Sequence, residues 1–239
     1  MSNYTEREAL EYLVGLGEIK VLDIDGKKFT TNQVYRVQDP KPAELTVTTL
    51  TALIDYIKSG IDDKFGDKGL IHVVSPSSVE LYSELRDDKD REKYISVRAL
   101  LPDNLVFDRF IGTEEFNIML QSSFVENKDR GLLLKITGNI KDSSVKEYGD
   151  DGVSQAATVK TGVASVNDVV VPNPVVLAPY RTFPEIEQPE SKFIFRMQSG
   201  PRAALFEADG GAWRNEAMQR IKKYLEENLK DIEGVKIIS

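Results

Sequence analysis

Lys192-Phe193-Ile194-Phe195-Arg196-Met197 and the later Ala203-Ala204-Leu205-Phe206 are the stretch on which the fold class turns. Both are rich in residues that suit a pleated, half-buried strand. They close a long region, Gly131 to Phe206, in which Val, Ile, Thr and Phe dominate and Gly, Pro, Asn and Asp punctuate. That composition predicts strands over 132–140, 154–163, 169–171, 175–177, 192–197 and 203–206, with Asp151-Gly152 as a turn. A second run upstream predicts antiparallel strands over 70–74, 79–85 and 94–101. The fully charged segment from Arg86 to Lys93 reads as a solvated loop between two of them.

Helical patterns flank this strand-rich middle. Thr5 and Glu8 have capping-box spacing, and Leu10, Leu13 and Val14 share a helix face that Gly15 or Gly17 ends. Two strands follow, over 19–22 and 29–37, with Asp25-Gly26 as a hairpin turn between them. Leu50, Leu53, Ile54 and Ile57 fall at i, i+3, i+4 and i+7, which predicts a helix capped by Thr46 or Thr48 and stopped by Gly60. Thr113 is read as the cap of a helix carrying Phe116, Met119, Leu120 and Phe124 on one face. Trp213, Ala217, Ile221, Tyr224, Leu225 and Leu229 predict a long helix over 212–229, with a strand over 235–238 after it. The order is not an alternating βαβ series, so the class is α+β: a mainly antiparallel core, N-terminal helices and a long C-terminal helix. Two parts are expected, a helix-hairpin-helix element over 1–68 and a strand-rich core over 69–239.

Composition narrows the function classes. The 239 residues are 41% hydrophobic and 29% charged, an ordinary balance for a globular chain that buries its own core. No cysteine is present, which excludes disulfides, thiol catalysis, Cys-ligated zinc and iron–sulfur clusters. One histidine excludes a multi-histidine metal site. A formal net charge of −8 argues against nucleic acid or anionic membrane as a direct partner. No apolar run is long enough to span a bilayer, and the N-terminal residues lack an apolar signal core, so a cytoplasmic protein is expected.

The candidate chemistry is sparse. His72 lies in a strand pattern with Leu70 and Val74 on its face and no nucleophile motif nearby, which favours a structural role. Asp23-Ile24-Asp25-Gly26 resembles the start of a calcium loop, but Val34 occupies the position where the closing Glu belongs. Glu147, Asp150 and Asp151 form an acidic turn, read as turn formers before a magnesium site. Glu207-Ala208-Asp209-Gly210-Gly211-Ala212-Trp213 leads into the last helix without a P-loop ending, and Asp209 suits a capping role. No cofactor or metal is implied.

Tyr180 and Arg181, with Arg196 and Arg202 farther along, form the one set suited to an anionic, nucleotide-like ligand. The rival pairing sets these arginines against Glu185, Glu187, Glu190 or Glu207 inside a structural or subunit interface, and it is the favoured one. Prolines 172, 174, 179, 184 and 189 mark 171–190 as edge strand or as a long extended arm of the kind that wraps neighbouring subunits.

Asp150-Asp151-Gly152-Val153-Ser154-Gln155, Pro179-Tyr180-Arg181-Thr182-Phe183, Gln188-Pro189-Glu190-Ser191 and Phe206-Glu207-Ala208-Asp209-Gly210-Gly211-Ala212-Trp213, with Val73-Val74-Ser75-Pro76-Ser77-Ser78-Val79, resemble the YfdQ-like family of phage and prophage proteins of unknown function. The resemblance runs from about Leu70 to Leu229. It implies a bacterial virus or prophage origin and the bacterial cytoplasm as the working compartment, and it carries no catalytic residue. The expected function is a non-enzymatic accessory protein that self-assembles as a homo-oligomer. The alternatives are a protein sequestering a nucleotide-like anion in counter-defence, and a carboxylate–metal enzyme acting on nucleic acid.

Overall fold

The computed structural model describes residues 6–31, 43–61, 69–86, 89–138, 149–150, 155–161, 165–171, 173–198 and 200–239. The chain forms two compact units, Met1–Lys41 and Pro42–Ser239.

The first unit holds α1 (Glu6–Leu16), β1 (Val21–Ile24) and β2 (Lys27–Thr30). β1 and β2 are antiparallel, with Leu22 opposite Phe29 and Ile24 opposite Lys27. Asp25 and Gly26 between them both have positive φ, 53° and 76°, the two-residue turn whose twist matches the strands. Nothing in the described part of this unit is buried. Leu10, Tyr12, Leu13, Val14, Leu16, Ile19, Val21, Leu22, Ile24 and Phe29 are 46–68% exposed.

The second unit contains β3 (Leu45–Val47), α2 (Leu50–Ser59), β4 (Gly69–Ser75), β5 (Ser78–Tyr82), β6 (Lys93–Arg98), β7 (Ile111–Gly112), α3 (Thr113–Ser123) and α4 (Lys128–Gly138). It continues with β8 (Gly149–Asp150), β9 (Gln155–Thr161), β10 (Ser165–Val171), β11 (Val175–Leu177), β12 (Ser191–Gln198), β13 (Arg202–Glu207), α5 (Ala212–Asn228) and β14 (Val235–Ile238). Three sheets result, in strand orders β14-β4-β5-β6-β3, β11-β12-β13-β7 and β10-β9-β8. Among the described residues the only parallel pairs are at the two edges of the five-stranded sheet, β14 with β4 and β3 with β6. The class is therefore α+β with mixed, mostly antiparallel sheets. Among the described residues no helix is long and apolar enough to cross a membrane.

Two cores organise this unit. In the first, Phe193, Phe195, Met197, Ala203 and Leu205 on one face of the four-stranded sheet pack against Phe116, Met119 and Leu120 of α3 and Leu133 and Ile136 of α4. In the second, Ile71, Val73, Val79, Leu81, Ile95 and Val97 of the five-stranded sheet pack against α2 and α5. α2 supplies Leu50, Leu53, Ile54 and Ile57 to that core, so it sits with the larger unit rather than with the N-terminal element.

Several local expectations change. The helix at 50 is capped by Thr49, whose Oγ1 accepts from the Ala52 N–H at 3.2 Å, because Thr46 is already in β3. Gly112, not Thr113, is the N-cap of α3. Residues 132–138 are helix, not strand. An apolar run as short as Leu132-Leu133-Leu134 fits either state. Here Asn127 Oδ1 accepts from the Arg130 N–H at 2.8 Å and starts the helix, which buries Leu133, Ile136 and Thr137 at i, i+3 and i+4. Thr5 and 32–37 lie outside the described residues.

Candidate functional site

The segment from Ala178 to Ser191 runs between the two cores and is the polar centre of the larger unit. It packs in cis rather than as a free arm. Pro179 bridges Phe124, the Tyr180 N–H donates to the Ser123 carbonyl at 2.9 Å, and the Thr182 hydroxyl donates to the Pro76 carbonyl at the β4–β5 turn. Phe183 then enters the second core with no exposed surface. Gln188, 6% exposed, fixes the turn. Its Oε1 accepts from the N–H groups of Arg181 and Thr182 at 3.0 and 3.3 Å, and its Nε2 donates to the carbonyls of Phe183 and Ile186.

Arg181, 5% exposed, is the hub. Its Nη1 donates to Glu207 Oε1 at 2.6 Å and its Nη2 to Ser191 Oγ. Ser191 Oγ donates onward to Asp209 Oδ2 at 2.6 Å. The guanidinium lies 3.9 Å from the centre of the Trp213 ring and 5.7 Å from that of Phe193, so two aromatic side chains contact one cation. Asp209 closes the circle, accepting from the Gly211 N–H at 2.9 Å just before α5. Gly211 has φ 80°, a backbone conformation that favours glycine.

The electrostatics follow from this packing. Burial pushes the Arg181 guanidinium down to about 10, against the pull of Glu207 and Asp209, and it stays charged at neutral pH. Burial pushes the Asp209 carboxyl up. Hydrogen bonds from Ser191 and the Gly211 amide, with the charge of Arg181, outweigh it and hold the group below the usual aspartate range. Arg181 Nε and Trp213 Nε1 are buried with no acceptor among the described residues. A ligand anion at the guanidinium would compete with two carboxylates already there.

The other arginines do not join this hub. Ser191 and Phe193 face inward on β12, whereas Arg196 alternates to the opposite face, and five residues of strand put it about 17 Å along from Ser191. Arg202 is opposite Gln198, about 23 Å from Ser191, and its Nη2 donates to the Phe110 carbonyl at 2.7 Å. Tyr180 is 39% exposed at the surface next to α3. Of Tyr180, Arg181, Arg196 and Arg202, only Arg181 has the buried polar setting, and its partner is Glu207, one of the four glutamates the sequence offered. Ser191 and Trp213 were not singled out as members. Their meeting depends on the β12–β13 register, which sets Phe193 opposite Glu207.

Other clusters are weaker. His72, Glu80 and Ser96 stand abreast on β4, β5 and β6. The carboxylate is in the middle, which leaves His72 and Ser96 two strands, about 10 Å, apart, so no His-activated serine exists there. Glu80 is instead held by Lys93 Nζ at 2.9 Å and by the Tyr82 hydroxyl. Burial pushes its carboxyl up, and those bonds with the charges of Lys93 and Arg98 bring it below the usual range. An open groove of about 380 Å³ lies between residues 185–187 and α5. Its cations are spent: Arg220 pairs with Glu187 and Glu216, and Lys223 with Glu227. Among the described residues no three His, Asp or Glu side chains are placed to hold a metal ion. Glu147 and Asp151 lie outside the described residues.

No protein-family model, curated protein or solved structure matches this chain.

Proposed function

We propose that this chain is a non-enzymatic phage or prophage accessory protein that acts in the bacterial cytoplasm as a homo-oligomer. The observation that carries the non-enzymatic part is the closed charge of the Arg181 hub. The side chain best suited to hold a substrate or nucleotide is committed to Glu207, Ser191 and Trp213. The same hub supports the likeness to the YfdQ-like family. Arg181, Gln188, Ser191, Glu207, Asp209 and Trp213 come from three of the motifs that carry the likeness, and they form one connected arrangement. The exposed apolar side chains of the first unit support self-assembly, because a water-soluble monomer rarely leaves so many in one short segment.

Native mass spectrometry of the purified chain at two concentrations tests the reading. One closed oligomer of fixed stoichiometry with no added mass is expected. A monomer at both concentrations overturns it. An added mass of a few hundred daltons, removed by Arg181→Met, replaces it with the sequestration of a nucleotide-like anion.

A further inference from the structure

Resting on the homo-oligomer reading, we infer that residues 6–31 are the assembly element and that their occupant is a second copy of the same segment. α1 of each copy lies on the apolar face of the β1–β2 hairpin of the other.

The first argument is energetic. An isolated 11-residue helix is marginal in water, and so is an isolated two-stranded hairpin. Each needs its apolar face covered. Within one copy neither covers the other: α1 has no buried residue and both strands are exposed throughout. The second argument is area. The exposed parts of Leu10, Leu13, Val14, Leu22, Ile24 and Phe29 amount to something on the order of 600 Å², near the lower end of the roughly 600–1,000 Å² per partner of a standard interface.

The third argument is charge, and it selects the partner. α1 carries Glu6, Glu8 and Glu11 against Arg7, and is acidic. The hairpin carries Lys27 and Lys28 against Asp23 and Asp25 and is neutral overall, but Asp23 and Lys28 are opposite each other on one face, which leaves Lys27 on the other. Residues directly opposite in an antiparallel pair share a face, so Leu22, Ile24, Phe29 and Lys27 lie together. On α1, Leu10, Leu13 and Val14 form a stripe, with Glu6 beside it. An acidic amphipathic helix and an apolar hairpin face whose strand residues carry one charge, Lys27, are complementary, and a two-fold exchange uses each of them once per copy. An anionic lipid surface is a poor occupant for the same reason, since the helix that would lie on it is acidic.

The test is complementation in the full-length chain, read by native mass spectrometry. Leu13→Asp breaks the helix stripe and Phe29→Asp breaks the hairpin face. Each variant alone is expected to self-associate at least about thirtyfold more weakly than wild type. Mixed in equal amounts they should form a mixed dimer, because the intact helix of one still meets the intact hairpin of the other. Their masses differ, so the mixed species is resolved. Unchanged far-UV circular dichroism of both variants is the folding control, since no described residue of this segment is buried. A wild-type monomer defeats the homo-oligomer reading itself. A wild-type oligomer that both variants retain places the interface elsewhere and overturns this inference alone. A mixture that stays monomeric while wild type associates overturns the exchange.

Discussion

The sequence reads the N-terminal segment as an amphipathic helix and a hairpin, and the Ala178–Ser191 segment as part of a Pro-rich edge strand or arm. They differ in what they leave over. Around Arg181 the cation is met by carboxylates of the same chain, and Phe193 beside it is buried while Trp213 is half-buried. In residues 6–31 the polar groups find local partners, such as Arg7 with Glu11 at 3.0 Å, but the apolar side chains find none. A buried cation already faced by two carboxylates has little charge left with which to hold an anion, although Arg181 Nε and Trp213 Nε1 keep unused donors among the described residues. An apolar face left open has an unmet free energy of burial that only another molecule can supply. The arginine motif is therefore read as architecture, and the plainer helix and hairpin as the working surface.

The sharpest way to break this contrast is Arg181→Met. It strands Glu207 and Asp209 beside a buried site, and removal of one member of a buried ion pair costs about 3–5 kcal/mol. Urea denaturation should show that loss, and Arg181→Met with Glu207→Gln should cost less than the two single changes added together. A loss under about 1 kcal/mol would mean that the hub is held for something other than stability.

Gln188→Leu comes next. It leaves the N–H groups of Arg181 and Thr182 without an acceptor in a buried turn, and a loss of about 2–3 kcal/mol is expected in the same denaturation experiment.

Acid should weaken the hub by a smaller amount. The folded Asp209 carboxyl lies below the ordinary aspartate value of 3.8, so its contribution is complete above that value and disappears as pH falls through the lower folded one. Glu80 acts in the same direction. Denaturant midpoints followed from pH 6 to pH 2 should fall, and Asp209→Asn should fall less steeply over the acid limb.

The smallest effect belongs to the other region. Leu10→Ser with Val14→Ser should change the urea stability of the larger unit by no more than about 0.5 kcal/mol, because neither residue is buried. A larger loss would show that this face is already covered within one copy.

Local patterns made much of the fold readable. The α2 stripe, the Asp25-Gly26 turn and the strands around β12 and β13 rest on short-range periodicity and turn chemistry, and these are written in neighbouring residues. The helix at 128–138 was misread because its apolar run suits both states and its start depends on Asn127, outside the run. α2 seemed to belong to the N-terminal element because the charged residues after Gly60 resemble a boundary. Its partners are instead strands that follow those charges. The hub was half legible. Arg181 and Glu207 were named as a possible pair, but residues 181, 191, 209 and 213 meet only through strand register and the placement of α5. The Pro-rich segment reads as edge strand or arm because prolines forbid a central ladder; β11 within it is an edge strand of the four-stranded sheet, and the prolines alone say nothing about which molecule the rest lies against.

Trp213 is the only tryptophan in the chain, and it lies against the Arg181 guanidinium, in the segment that runs between the two cores. Its fluorescence is therefore a built-in gauge of the junction itself. If the two cores come apart before either melts, the emission should change while the helical circular dichroism signal still holds. If all three are lost together, the two curves should coincide. The protein carries its own optical test of whether its larger unit unfolds as one body or as two.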